Sequence, residues 1–142
     1  MAEALLNRFG DGRFRAFSAD LEPAAELHPM TLEMLQGSGL PTAHLKPRSV
    51  RDFAAAGAPR MDFVITMGKD LTAAVRSLPG NPMLAQWGIS NPIIADGDPV
   101  AQRFAFRRAF RELENRIRLF VLVRHNREPE REVERPRVAQ NA

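Results

Sequence analysis

The chain contains no cysteine in its 142 residues. That excludes disulfides, thiolate nucleophiles, thiolate metal sites and redox relays made from its own side chains. It also has no apolar run near the ~20 residues that a membrane span needs, and no signal peptide opens it. A cytoplasmic protein with no membrane partner is the expectation. Histidine is sparse: His28, His44 and His125 stand apart without metal-ligand spacing and read as loop or surface residues. Ser18, Ser49 and Ser90 have no adjacent His–Asp arrangement, so no serine nucleophile is expected. No cofactor is expected either.

Apolar material is present in quantity, 44% of the residues, enough for one core. Residues 1–125 are assigned to a single domain. Residues 126–142 alternate Arg and Glu with little apolar content and are expected to be a charged, disordered tail. The formal charge is +3, and the basic residues are almost all arginine. The excess is concentrated between Asp98 and His125, where Arg103, Arg107, Arg108, Arg111, Arg116, Arg118 and Arg124 oppose only Asp98, Glu112 and Glu114. A basic helix can hold nucleic acid or an acidic partner. Without an interleaved aromatic platform, the plain reading is a solvated helix face, and nucleic acid is not an expected partner. A non-enzymatic interaction module centred on Arg107, Arg108 and Arg111 stays open beside it.

The densest β-forming run is Phe63-Val64-Ile65-Thr66 within 61–70, bounded by Pro59 and Gly68. It predicts a strand buried on both faces of a parallel sheet. Ligands of such sheets bind beyond the strands' carboxyl ends, which directs attention to Met67-Gly68-Lys69-Asp70. Lys69 and Asp70 could contact an anion, although a solvated turn is the simpler reading. Arg51 and Arg60 read as surface charges.

Before this strand, the pattern predicts a helix over 1–9, a short strand over 13–19, a helix over 30–36, and a helix capped by Ser49 that ends near Gly57. After it come a short helix over 71–78, a strand over 83–88, a loop from Ser90 to Pro99, and a long last helix. Asp98 caps that helix and Pro99 starts it, and Phe106, Phe110, Leu113, Ile117 and Phe120 form its apolar stripe. The order is that of an α/β, three-layer fold with a parallel sheet flanked by helices.

Several segments carry a resemblance. The opening Met1-Ala2-Glu3-Ala4-Leu5-Leu6 resembles the helix that follows the phosphate loop in low-molecular-weight protein tyrosine phosphatases and the related arsenate reductases. Similar segments follow in the family's order: Phe17-Ser18-Ala19, Gly39-Leu40-Pro41-Thr42, Met61 to Met67, Trp87-Gly88-Ile89-Ser90-Asn91-Pro92 and Phe106 to Leu113. They span residues 1–123, and the last two look closer to the arsenate reductase branch.

The resemblance implies a low-molecular-weight phosphatase-like fold and an oxyanion (arsenate or phosphate) ligand in a full-length form. It also implies parts this sequence does not contain. The family's first strand and its loop, a cysteine, five residues and an arginine, would lie directly before Met1. Gly68 stands where thioredoxin-linked arsenate reductases place a second cysteine, and Val75 or Arg76 where they place a third. Asn91 replaces the aspartate that serves the phosphatases as general acid. Asp20 replaces a usual glycine.

No residue is therefore assigned a catalytic, cofactor-binding or metal-ligating role. Two expectations follow, with enzyme status open between them. In one, the chain is a truncated form, or its start is assigned at an internal methionine, and the whole protein is an arsenate reductase or phosphatase. In the other, it is a degenerate relative, inactive as given. In either case the absent first strand leaves both its neighbours unpaired, and a second copy of the chain could fill the place as a homodimer.

Overall fold

The structure, a computed structural model, describes residues 1–68, 70–93 and 98–125, with His125 described in its backbone only. The expectations for 126–142 and for Lys69 fall outside the described residues.

Helix α1 spans Ala2–Phe9, α2 Pro29–Gly37, and a 3₁₀ turn Val50–Phe53. Strand β1 (Phe63–Thr66) is joined through α3 (Thr72–Arg76) to β2 (Met83–Gln86), and α4 (Pro99–His125) closes the described chain. The two strands are parallel, with Phe63 opposite Met83 and Thr66 opposite Gln86. Parallel strands need a crossover, and α3 supplies it.

Side chains on a strand alternate between faces, and β1 uses both. Phe63 meets the Phe120 ring of α4 edge-on at 5.5 Å. Val64 turns the other way, onto a small cluster of Phe53, Val75 and Leu78. The sheet is thus the middle of three layers, with α1, α2 and α4 on one side and the 3₁₀ turn and α3 on the other. The larger core joins Leu5 of α1, Leu35 of α2, Leu40 and Ile89 to Ala109, Leu113, Ile117 and Val121 of α4. Each such Leu, Ile or Val side chain contributes on the order of 1.5–3 kcal/mol by leaving water.

Helix α4 is 27 residues long. The Asp98 carboxylate accepts from the Val100 N–H at 3.2 Å, so the expected cap is in place. Among its described residues, the chain has no helix long and apolar enough to cross a membrane. Gly10 ends α1 because the chain must fold sharply there. A Cβ at that position would lie 2.7 Å from the Leu6 carbonyl oxygen and 2.8 Å from Phe14 Cβ. That close turn lets Phe14 reach Phe120, at 5.5 Å between rings.

Four expectations are corrected. Residues 13–19 are not a strand. Only Asp20 forms a bridge, parallel to Ser49. The segment pairs with neither strand, and side chains of α1 hold its backbone instead: Asn7 both donates to and accepts from Ala16, at 3.0 and 2.8 Å. Composition favoured a strand, but a strand needs a ladder partner.

The Ser49-capped element is one 3₁₀ turn ending at Phe53 rather than a helix reaching Gly57, although its capping box forms, with Asp52 accepting from the Ser49 N–H at 3.1 Å. β1 is buried only at Thr66, and the remainder is half-buried. β2 stops at Gln86 and is exposed throughout. The half-burial of β1 has its cause in the ladder. Residues 62, 64 and 66 of a parallel ladder bond to β2, as Met83 N to the Asp62 oxygen (2.9 Å) and Trp87 N to the Thr66 oxygen (2.8 Å) show. Phe63 and Ile65 then turn their N–H and C=O groups to an edge where no described strand pairs with them.

Candidate functional site

The rim beyond β1 and β2 is formed by Thr66-Met67-Gly68, Asp70, Trp87-Gly88-Ile89 and Asn91-Pro92. Thr66 is 5% exposed, so the ladder is sealed up to its last pair. A Cβ built on Gly68 would have the Ile89 carbonyl oxygen as nearest neighbour, at 3.6 Å, an ordinary contact. Glycine is not required there, and a side chain fits. Gly68→Ala should raise stability by about 0.4–1 kcal/mol through the unfolded chain, read as a higher urea midpoint with an unchanged slope. A fall in the midpoint would show that the backbone cannot accept a side chain.

Three polar groups on this rim are engaged: the Asp70 carboxylate, the Asn91 amide oxygen and the Trp87 carbonyl. Asp70 accepts from the Thr72 hydroxyl at 2.6 Å and from the Thr72 N–H at 2.9 Å, in a local turn just before α3. These bonds, the hydroxyl first, hold its carboxyl below the usual range. Thr72→Val removes the larger of them, so the Asp70 pKa should rise toward 3.8 in a carboxyl-carbon NMR titration. A carboxylate lowered in the folded state adds stability above its unfolded pKa and loses it as pH falls through the folded one. Wild-type protein should therefore lose this contribution only below pH 3.8. An acidic residue so placed repels anions, and its described bonds are local ones to Thr72.

Asn91 accepts from the Ile93 N–H at 3.0 Å, and an amide has no acidic proton to give. Arg116 donates to the Trp87 carbonyl and pairs with Glu112 at 2.8 Å, fastening this loop to α4. The Met1 amine, at the start of α1, is largely buried. Burial pushes it below its ordinary value, and Glu3 partly opposes the shift. Protonating it penalises the fold, so its contribution favours stability as pH rises toward 8.0.

The most deeply placed charge is Glu3, 4% exposed. It accepts from the Ser18 hydroxyl at 2.6 Å and the Ser18 N–H at 2.9 Å. Arg48 completes the group at 3.0 Å. Arg48 also stands over the Phe17 ring at 5.9 Å. This latch ties α1 to the 13–20 segment and to the residues before the 3₁₀ turn. Its partners are far apart in the sequence; the available signal was an acidic residue inside the apolar opening turn of α1. The Ser18 hydroxyl is thereby engaged in the latch.

His28 was expected to be a plain loop histidine and has a definite task. Its Nδ1 accepts from the Met30 N–H at 3.2 Å to cap α2, and its ring stacks on Phe106 at 4.7 Å. His44 is exposed. No group of His, Asp or Glu among the described residues could hold a metal ion.

The arginines of α4 divide in two. Arg103 pairs with Glu33. Arg118 pairs with Glu114 at 2.9 Å and stacks 3.9 Å over Phe9. Arg124 lies 4.3 Å over Phe63. Arg107, Arg108 and Arg111 are exposed and have no partner among the described residues.

No protein-family model matches the sequence, and no curated protein matches it. Solved structures do. A thioredoxin-dependent arsenate reductase from Corynebacterium glutamicum is similar over 88% of this chain, with 25% identity and a TM-score of 0.59. This chain spans 55% of that protein's length. YfkJ from Bacillus subtilis is similar over 89% of this chain and 87% of its own, with 17% identity and a TM-score of 0.52. The second likeness is one of fold alone. The family resemblance seen in the ordered sequence segments is borne out.

Proposed function

We propose that this chain, which has the fold of the arsenate reductases and low-molecular-weight phosphatases, acts by binding and performs no thiol chemistry of its own. One observation carries the proposal: there is no cysteine anywhere in the sequence. Thiol-dependent reduction of arsenate moves two electrons out of thiolates, and phosphatases of this type attack phosphorus through sulfur. Serine, threonine and carboxylates cannot supply those electrons. Asn91 cannot protonate a leaving group, and the Asp70 carboxylate and the Trp87 carbonyl are held in local contacts.

The purified 142-residue chain should show no arsenate reduction with a thiol donor and no cleavage of an aryl phosphate. Turnover above that of heat-inactivated protein would overturn this reading.

A second reading is favoured by the open edge of β1 and by residues 13–19, which lie in no ladder. In it, a strand and a cysteine-bearing phosphate loop, in the same longer polypeptide, complete the sheet and bring an arsenate or phosphate ligand with them. A second copy of the chain could supply the strand instead, but not the thiol. The codons upstream of Met1 separate these readings: a cysteine, five residues and an arginine in frame would favour the longer enzyme. A stop codon in frame with no such loop would leave the binding protein.

A further inference from the structure

The outward face of α4 is organised in a way that neither reading uses. Val100, Phe104, Arg107, Arg108, Arg111, Asn115, Leu119 and Leu122 recur at helical spacing on the side opposite the core. Phe104 is 66% exposed and Leu122 57%. Each lies in a shallow hollow. One of about 290 Å³ is lined by Pro99, Val100, Arg103, Phe104 and Arg107. The other, about 220 Å³, is lined by Phe9, Arg13, Arg118, Val121 and Leu122. At 1.5 Å per residue, Phe104 and Leu122 are roughly 27 Å apart along the helix, on the same azimuth.

Between them, nearer Phe104, stand Arg107, Arg108 and Arg111. Arg107 and Arg111 are four residues apart and Arg108 and Arg111 three, spacings at which like charges repel. The two acids of this helix, Glu112 and Glu114, are taken by Arg116 and Arg118. Three unneutralised guanidinium groups flanked by two apolar hollows match a ligand of opposite charge that also carries apolar side chains.

We propose that this face docks an acidic amphipathic helix of a partner protein, with an apolar anchor in each hollow and carboxylates over Arg107, Arg108 and Arg111. Charge decides against the other occupants. A second copy lying antiparallel, with Phe104 over Leu122, sets Arg108 over Arg118 and Arg111 over Asn115, and no carboxylate faces the three arginines. A parallel copy sets arginine on arginine. Nucleic acid would satisfy the arginines, but its phosphates have no use for the hollow around Leu122.

The test uses the full chain and a fluorescein-labelled helical peptide of about 20 residues, with leucine at both ends and glutamate on the same face between them. A peptide with glutamine in place of glutamate is the control. Fluorescence anisotropy should show saturable binding of the glutamate peptide, weakened about tenfold or more by the triple change R107E/R108E/R111E. Phe104→Ser and Leu122→Ser should each weaken it as well. The triple change K46E/R51E/R76E shifts the net charge equally at exposed positions elsewhere and should leave affinity nearly unchanged.

Equal binding of the two peptides would overturn the proposal, as would equal loss in the two triple variants. So would binding unaffected by Phe104→Ser and Leu122→Ser together. Complete displacement of the peptide by an equimolar single-stranded oligodeoxynucleotide would assign the face to nucleic acid. A dimer in sedimentation that vanishes in R107E/R108E/R111E would assign it to a second copy. Far-UV circular dichroism establishes that every variant is folded.

Discussion

Arg48→Met should destabilise the protein by about 3–5 kcal/mol, because it leaves a carboxylate buried without its counter-charge. Glu3 and Arg48 are 3% and 17% exposed in their side chains, so neither is screened as a surface ion would be. An exposed pair contributes at most about 1 kcal/mol, so burial, more than the pairing itself, sets the size of the effect. Against a total of about 5–15 kcal/mol for a small domain, such a loss brings the protein near its folding threshold.

The double variant Glu3→Met with Arg48→Met removes both charges and should recover part of the loss. It cannot recover all, since the Ser18 hydroxyl and N–H still lose their acceptor, at about 1–3 kcal/mol. Urea denaturation of the two variants measures both steps. An unfolding free energy for Arg48→Met within about 1 kcal/mol of wild type would mean that Glu3 is hydrated in solution and the latch is not a buried charge.

The second large effect is expected at Phe106, which is 1% exposed and stacks on His28, the cap of α2. Phe106→Ala opens a cavity in α4 and removes the ring beside that cap, costing about 3–5 kcal/mol. Phe104 is two residues away on the other side of the same helix. Phe104→Ala should stay within about 0.5 kcal/mol of wild type, as surface changes do. Thermal unfolding of the pair compares them at equal chemistry and equal helix propensity, so only burial differs. Equal losses would mean that Phe104 is covered in solution by something besides the core.

The parts of the fold legible in the sequence were those decided locally. Asp98-Pro99, the phenylalanine and leucine stripe of α4, and the Ser49–Asp52 box each act within a turn or two, and each is in place. Residues 13–19 read as a strand because their composition suits one. Whether a β-prone segment enters a ladder depends on what lies beside it, and no local pattern encodes that. Glu3 and Arg48 are 45 positions apart, so their meeting is a property of the folded chain. The end of β1 was legible from its β-branched run and from Gly68. Gly68, Asn91 and the absence of cysteine are plain in the sequence itself. The task of His28 is not, since its ring partner lies on a distant helix.

A parallel sheet of two strands has two borders, and β2 is exposed along its whole length with Met83 56% and Leu84 41% accessible. Unpaired N–H and C=O rows beside apolar side chains recruit other extended chains, and this sheet has no proline or bulge within either strand to deter them. The consequence concerns handling more than activity. Refolding yield should fall as protein concentration rises, with the losses appearing as thioflavin-positive precipitate. A lysine at Leu84, pointing a charge out of the exposed strand, should recover soluble protein without moving the unfolding midpoint.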